Sequence, residues 1–343
     1  MKSLICRINL ALSIAIFLLL TQAHVVPTHA HSISSALQET NKSKDELYAT
    51  FKKGISGDAN ARKASNEAGK EFLAKYPDEK DPRTKEIKDW MAIYTADMQG
   101  VEVLVNVYKA KKYAEAFQTG KQVLIADPDN IKILTALGYA GMPAAAAGDN
   151  SLTTDATGYA KKAITLIESG KAPVDWKPFA TRDETLGWLN YSLGVMVIRT
   201  AAGEAIGYLT KAATYEGAPK KDPVVYYYLA VLYSQDFEKQ RAQFKATYEG
   251  KPESPESKAA LAKVSSVVDL IIDAYARSIS CTDASPQLKQ TYQQQETEWM
   301  AKLTELYKSR HDGSDAGLKE MIATIRAKPL PGQQTSLTPM ALP

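Results

Sequence analysis

The sequence is poor in the residues that hold small exported folds and metal centres together. It has two cysteines among 343 residues, and Cys6 stands ahead of an apolar N-terminal run. If that run is a removable signal, only Cys281 remains, no internal disulfide can form, and stability must come from packing over a large core. Histidine is scarce as well: His24, His29 and His31 lie in or beside the N-terminal cleavage zone, and only His311 lies elsewhere, so a multi-histidine metal centre has no material. Excess charge of one sign is missing, since 42 Lys and Arg face 39 Asp and Glu. Such a balance lacks the basic footprint that a phosphate backbone demands, and nucleic acid is not an expected partner. The chain has no Gly-x-Ser-x-Gly elbow, no phosphate-cradling glycine loop and no His-Glu-x-x-His. Glu296 and Glu298 are two apart and so face different sides of a helix, while nothing in the sequence joins Cys281 to His311. The expectation is a protein with no catalytic site, no cofactor and no metal.

Long apolar runs are confined to the start. Lys2 and Arg7 precede "INLALSIAIFLLL", and the polar, small-residue segment "TQAHVVPTHAHS" follows, the layout of a secretory signal with cleavage after Ala23 or Ala30. Residues 1–30 are therefore expected to direct the chain to the periplasm or out of the cell. An uncleaved segment would instead tie it to the membrane.

What fills the rest is helix after helix. Leu261, Val264, Val268, Ile271, Tyr275 and Ile279 recur at three and four spacing, and Asp273 and Arg277 fall one turn apart. No run alternates as a strand would. Breakers such as "YPDEKDP", "ADPDN", "GAPKKDP", "EGKPESP" and "SPQ" arrive at intervals suited to helical hairpins, so the fold class is all-α with antiparallel neighbours.

One stretch, "KKYAEAFQTGKQVLIADPDN" at residues 111–130, sets small residues a turn apart and stops on Asp-Pro-Asp-Asn. Counted from residue 97 in a unit of about 34 residues, Tyr113, Ala116, Leu124, Pro128 and Asn130 take positions 17, 20, 28, 32 and 34. Leu134, Leu137 and Gly138 begin a second unit at residue 131, whose later helix holds Ala156, Ala160, Ala163 and Ile164 after a six-residue insertion. From residue 187, Leu193 and Gly194 lead a third, followed by Ala205, Leu209, Ala212 and Ala213; residue 223 opens a fourth with Tyr226, Leu229, Ala230 and Tyr233. Residues 64–78, "ASNEAGKEFLAKYPD", read as the second helix of an earlier, degenerate unit. The pattern resembles the tetratricopeptide repeat. Three segments depart from it: the long loop "GMPAAAAGDNSLTTD", the linker "SGKAPVDWKPFATRDE", and "SQDFEKQRAQFKATYEGKPESPE" in place of a second helix.

The resemblance implies a right-handed superhelix of helical hairpins with a concave groove lined by the first helix of each unit. Carried over residue by residue, the groove positions are Met98, Val101, Val105, Tyr108 and Lys109, then Tyr139 and Met142, then Trp188, Tyr191, Val195 and Arg199, and finally Tyr227, Val231 and Gln235. Such a lining suits an apolar or aromatic segment of a protein partner. The carboxylate clamp of some family members is not expected, because Val101 and Val105 stand at its positions. The repeat region is expected over 43–254, after a flexible segment at 31–42. Capping helices are expected over 255–280, 286–309 and 314–327, and a flexible proline-rich tail over 328–343. The implied function is a protein-interaction module or assembly scaffold. The other reading is a structural, envelope-associated protein whose groove is filled by its own C-terminal helices.

Overall fold

The computed structural model describes residues 42–331. The expected signal, with Cys6 and the histidines beside it, most of the segment at 31–42 and the tail beyond residue 331 lie outside the described residues. Among the described residues the chain is all-helical, with twelve α-helices and no strand. Two compact units divide between residues 99 and 100.

The first unit holds α1 (Lys44–Gly54), α2 (Ala59–Lys75) and the early turns of α3 (Pro82–Val105). Ser43 and Glu46 form a reciprocal capping box at the start of α1, and the Asp58 carboxylate accepts from Ala61 N–H at the start of α2, satisfying donors that a helix leaves unpaired. Their core is Leu47, Phe51, Phe72 and Ile87, with the Trp90 ring edge-on to Phe51 at 5.4 Å. α3 begins at Pro82, well before the unit start expected at residue 97.

The second unit continues from the end of α3 through one π turn, Asn106–Ala110, to α4 (Tyr113–Ala126), α5 (Ile131–Ala146), α6 (Thr153–Glu168), α7 (Arg182–Val197) and α8 (Ala202–Thr214). It then runs through a short 3₁₀ turn, Pro219–Lys221, to α9 (Pro223–Tyr248), α10 (Pro255–Asp283), α11 (Pro286–Arg310) and α12 (Leu318–Thr324). The breakers of the sequence turn out to be helix starts. Asp222-Pro223, Ser254-Pro255 and Ser285-Pro286 each place a capping side chain ahead of a proline whose fixed φ suits the first helical turn.

Sequential helices pair as α5 with α6, α7 with α8 and α9 with α10, while α7 also packs on both α5 and α6. Small residues set the separations. A Cβ on Gly138 of α5 would lie 2.7 Å from Ala160 Cα of α6, and one on Gly194 of α7 would lie 2.7 Å from Leu209 Cγ of α8. The alanines at the expected second-helix positions, Ala116, Ala160 and Ala205, are fully buried. On the surface, Lys162 Nζ donates to the Pro128 carbonyl at 2.6 Å.

Two departures from the sequence reading concern helix length. Most of "GMPAAAAGDNSLTTD" is helical, because α5 runs through Pro143 on an alanine tract and α6 begins at Thr153. The segment after Tyr233 does not replace a helix but extends α9 by its own continuation, and α10 is the antiparallel partner. The boundary expected at 254/255 thus falls in the turn of the α9–α10 hairpin. At the far end, Tyr307 stacks on His311 at 4.0 Å, and the Ser314 hydroxyl accepts from Ala316 N–H. The tail is anchored where it begins, since Leu330 is buried.

Candidate functional site

Aromatic rings form a continuous row through the second unit, and five of the expected groove residues belong to it. The π turn at the end of α3 presents Tyr108 to Tyr139 of α5, with ring centroids 5.6 Å apart. Tyr139 meets Trp188 of α7 edge-on at 5.8 Å, Trp188 lies 5.8 Å from Tyr191 one turn on, and Tyr191 lies 6.5 Å from Tyr228 of α9. Tyr228 neighbours Tyr227, which stacks on Trp299 of α11 at 5.2 Å, and Trp299 meets Tyr292 at 6.0 Å. First helices supply most of the row; the irregular linker and α11 supply the rest.

Two of those contributions were not read from the sequence. Phe179, in the linker before α7, sits edge-on to Tyr108 at 6.0 Å and to Tyr139 at 5.9 Å, and lies nearly parallel to Trp188 at 6.4 Å. The linker is tied down by a Lys132–Asp175 ion pair at 2.9 Å and by Ala180 N–H donating to Glu184 at 2.9 Å. Trp299 is 4% exposed and belongs to the C-terminal core. Both carried a signal: Phe179 and Trp176 are large rings in an otherwise polar connection, and Tyr292, Trp299 and Leu303 repeat at helical spacing on α11.

The expected groove residues therefore fall into distinct environments. Tyr191 is 6% exposed and does not stand on an open wall. Tyr108, Tyr139, Met142, Trp188 and Tyr227 are half-buried, with Val195 and Val231 like them. Lys109, Arg199 and Gln235 are exposed. Val101 is 50% and Val105 40% exposed, and they lie one turn apart on the last stretch of α3, leading to Lys109. Met98 is exposed in the first unit.

Electrostatics follow burial. Desolvation raises the phenols of Tyr108, Tyr139 and Tyr191 above their ordinary value, so these rings stay neutral and act as apolar surface with a hydroxyl tip. Cys281 is buried and its thiol is pushed up to about 11, the opposite of what a nucleophile needs. Asp222, the N-cap of α9, is raised to about 6 by desolvation, against the lowering effect of its bond from Val224 N–H. A carboxyl raised on folding stabilises the fold in its protonated form. That contribution is present at low pH and fades as pH rises through about 6. Urea unfolding should show wild type gaining about 1–1.5 kcal/mol between pH 7 and pH 5 relative to Asp222→Asn, which keeps the cap acceptor but cannot titrate. Parallel pH profiles for the two chains would contradict this assignment.

Among the described residues no group of three or more His, Cys, Asp or Glu could hold a metal ion, and no helix is long and apolar enough to cross a membrane. No family model matches the chain, and no curated protein or solved structure matches it either.

Proposed function

We propose that this chain is an exported, non-catalytic helical-repeat module of the tetratricopeptide type, which holds a protein partner against the inner wall of its stacked hairpins. The observation that carries the reading is that Val101 and Val105, one turn apart on the last stretch of α3, expose apolar surface ahead of the exposed Lys109, at positions the repeat would assign to ligand contact. Apolar side chains left in water next to a cation suit a partner segment with an apolar anchor and a neighbouring acceptor or carboxylate. Close packing of Gly138 on Ala160 and Gly194 near Leu209 supports the repeat assignment, because hairpins of a superhelix must approach at such small residues. Periplasmic or extracellular location rests on the N-terminal signal pattern alone.

A second reading has its own support. Trp299 on Tyr227, and Phe179 among Tyr108, Tyr139 and Trp188, favour a wall occupied by the chain itself and a structural role at the envelope. The two readings part on a Val101→Glu/Val105→Glu chain. Its stability should stay within about 0.5 kcal/mol of wild type, since both sites are exposed. Under the first reading, proteins cross-linked from an envelope extract by the wild type are lost from the double variant. An unchanged set of cross-linked proteins would favour the structural role.

A further inference from the structure

Away from the aromatic row, the beginning of the C-terminal tail lies in a slot formed by α8, α9 and α10. Leu330 is 9% exposed, and with Pro331 it lines one side of a small cavity whose other walls include Tyr226, Leu229, Tyr233, Leu270 and Ala274. One turn on from Asp273 along α10 stands Arg277, itself 3% exposed. Its Nε donates to Asp273 Oδ1 at 2.6 Å, and its Nη2 donates to the main-chain carbonyls of Lys328 at 3.1 Å and Pro329 at 2.9 Å. Asp273 holds the guanidinium through Nε and Nη2, which orients Nη2 toward the strap carbonyls.

These are the parts of a peptide-recognition site. One nitrogen of a buried guanidinium donates to successive carbonyls, and an apolar slot one residue further on holds a leucine. The strap it holds is suited to exchange. Pro329 and Pro331 carry no N–H, so the strap leaves few donors unpaired when it enters or departs, and their rings limit the conformational freedom lost on docking. It follows the short 3₁₀ turn Ile325–Ala327, and it is held by Leu330 and Pro331 in the slot and by two hydrogen bonds from a single side chain. Should the strap leave, Arg277 would keep Asp273 but lose both carbonyls, and a buried guanidinium short of acceptors favours refilling by another strand.

We propose that this slot is a second binding site, distinct from the inner wall, for an extended segment of another protein carrying leucine between two prolines, and that Lys328–Pro331 is its built-in competitor. Because the strap is covalently attached, its effective concentration holds the slot closed until a partner segment outcompetes it. The test uses the full chain with Leu330→Ser, which removes the strap's anchor and leaves every residue of the slot in place. A fluorescent peptide, acetyl-Lys-Pro-Leu-Pro-Gly-amide, is titrated and its anisotropy followed. It should bind the variant at least tenfold more tightly than wild type, and a peptide with serine for leucine should not bind. Equal binding of the leucine peptide to both chains, or none to a variant whose helical circular dichroism is intact, would overturn the proposal. If the serine variant does not fold, Leu330→Ala is read by the same two outcomes.

Discussion

Tyr191→Ala should cost about 3–5 kcal/mol of stability and lower the melting temperature by about 10 °C. The ring is 6% exposed and belongs, from α7, to the core cluster of α8–α12, touching Trp188 on one side and Tyr228 on the other. Removing it leaves a cavity walled by other large rings, which cannot collapse without moving α7 against α9. Lys109→Ala, exposed on the same row of expected ligand positions, is the control and should change stability by less than about 0.5 kcal/mol. Thermal and urea unfolding of the two variants decide the matter. A loss below about 1 kcal/mol for Tyr191→Ala would mean that the ring can leave its site and serve a ligand.

The second large effect is expected at Gly138. Its Cβ would lie 2.7 Å from Ala160 Cα, 2.8 Å from Ala160 N and 2.9 Å from Ala160 Cβ, so the obstacle is mainly main chain and no rotamer change relieves it. Gly138→Val should therefore destabilise by about 3 kcal/mol or more, as α5 and α6 are pushed apart along their shared face. Gly207 is the contrast. It lies inside α8 with nothing within 4 Å of an added Cβ, and Gly207→Ala should stabilise by about 0.5–1 kcal/mol through helix propensity alone. Opposite signs at two helical glycines are the expected result of urea titration; a stabilised Gly138→Val would refute the backbone contact.

These two residues also show how far the sequence could be read. Gly138 and Tyr191 were both placed by repeat position, but position states only that a residue faces a neighbour or a groove, not what fills the groove. The small residues of the second helices were legible because close approach is a pairwise, local demand. The reach of α9 was not, because after Tyr233 its apolar period fades into Glu, Lys, Gln, Arg and Ala, which keep a helix by propensity while giving no face to read. Phe179 escaped because a linker has no period, and its partners lie on three separate elements. Burial of Leu330 was hidden by its flanking prolines, whose composition reads as flexible until Arg277 supplies donors for the carbonyls of Lys328 and Pro329.

The backbone contact at Gly138 bears on mechanics as well as on stability. Where main chain touches main chain there are no side-chain torsions to absorb a displacement, so the joint between α5 and α6 is stiff in the sense of a metal-on-metal seat. Where α9 meets α11 through Tyr227 and Trp299, two long side chains with several torsions stand between the helices, and that joint is padded. A bending or tugging force on the second unit will concentrate its strain in the padded joint and leave the glycine-seated pair to move as a solid piece.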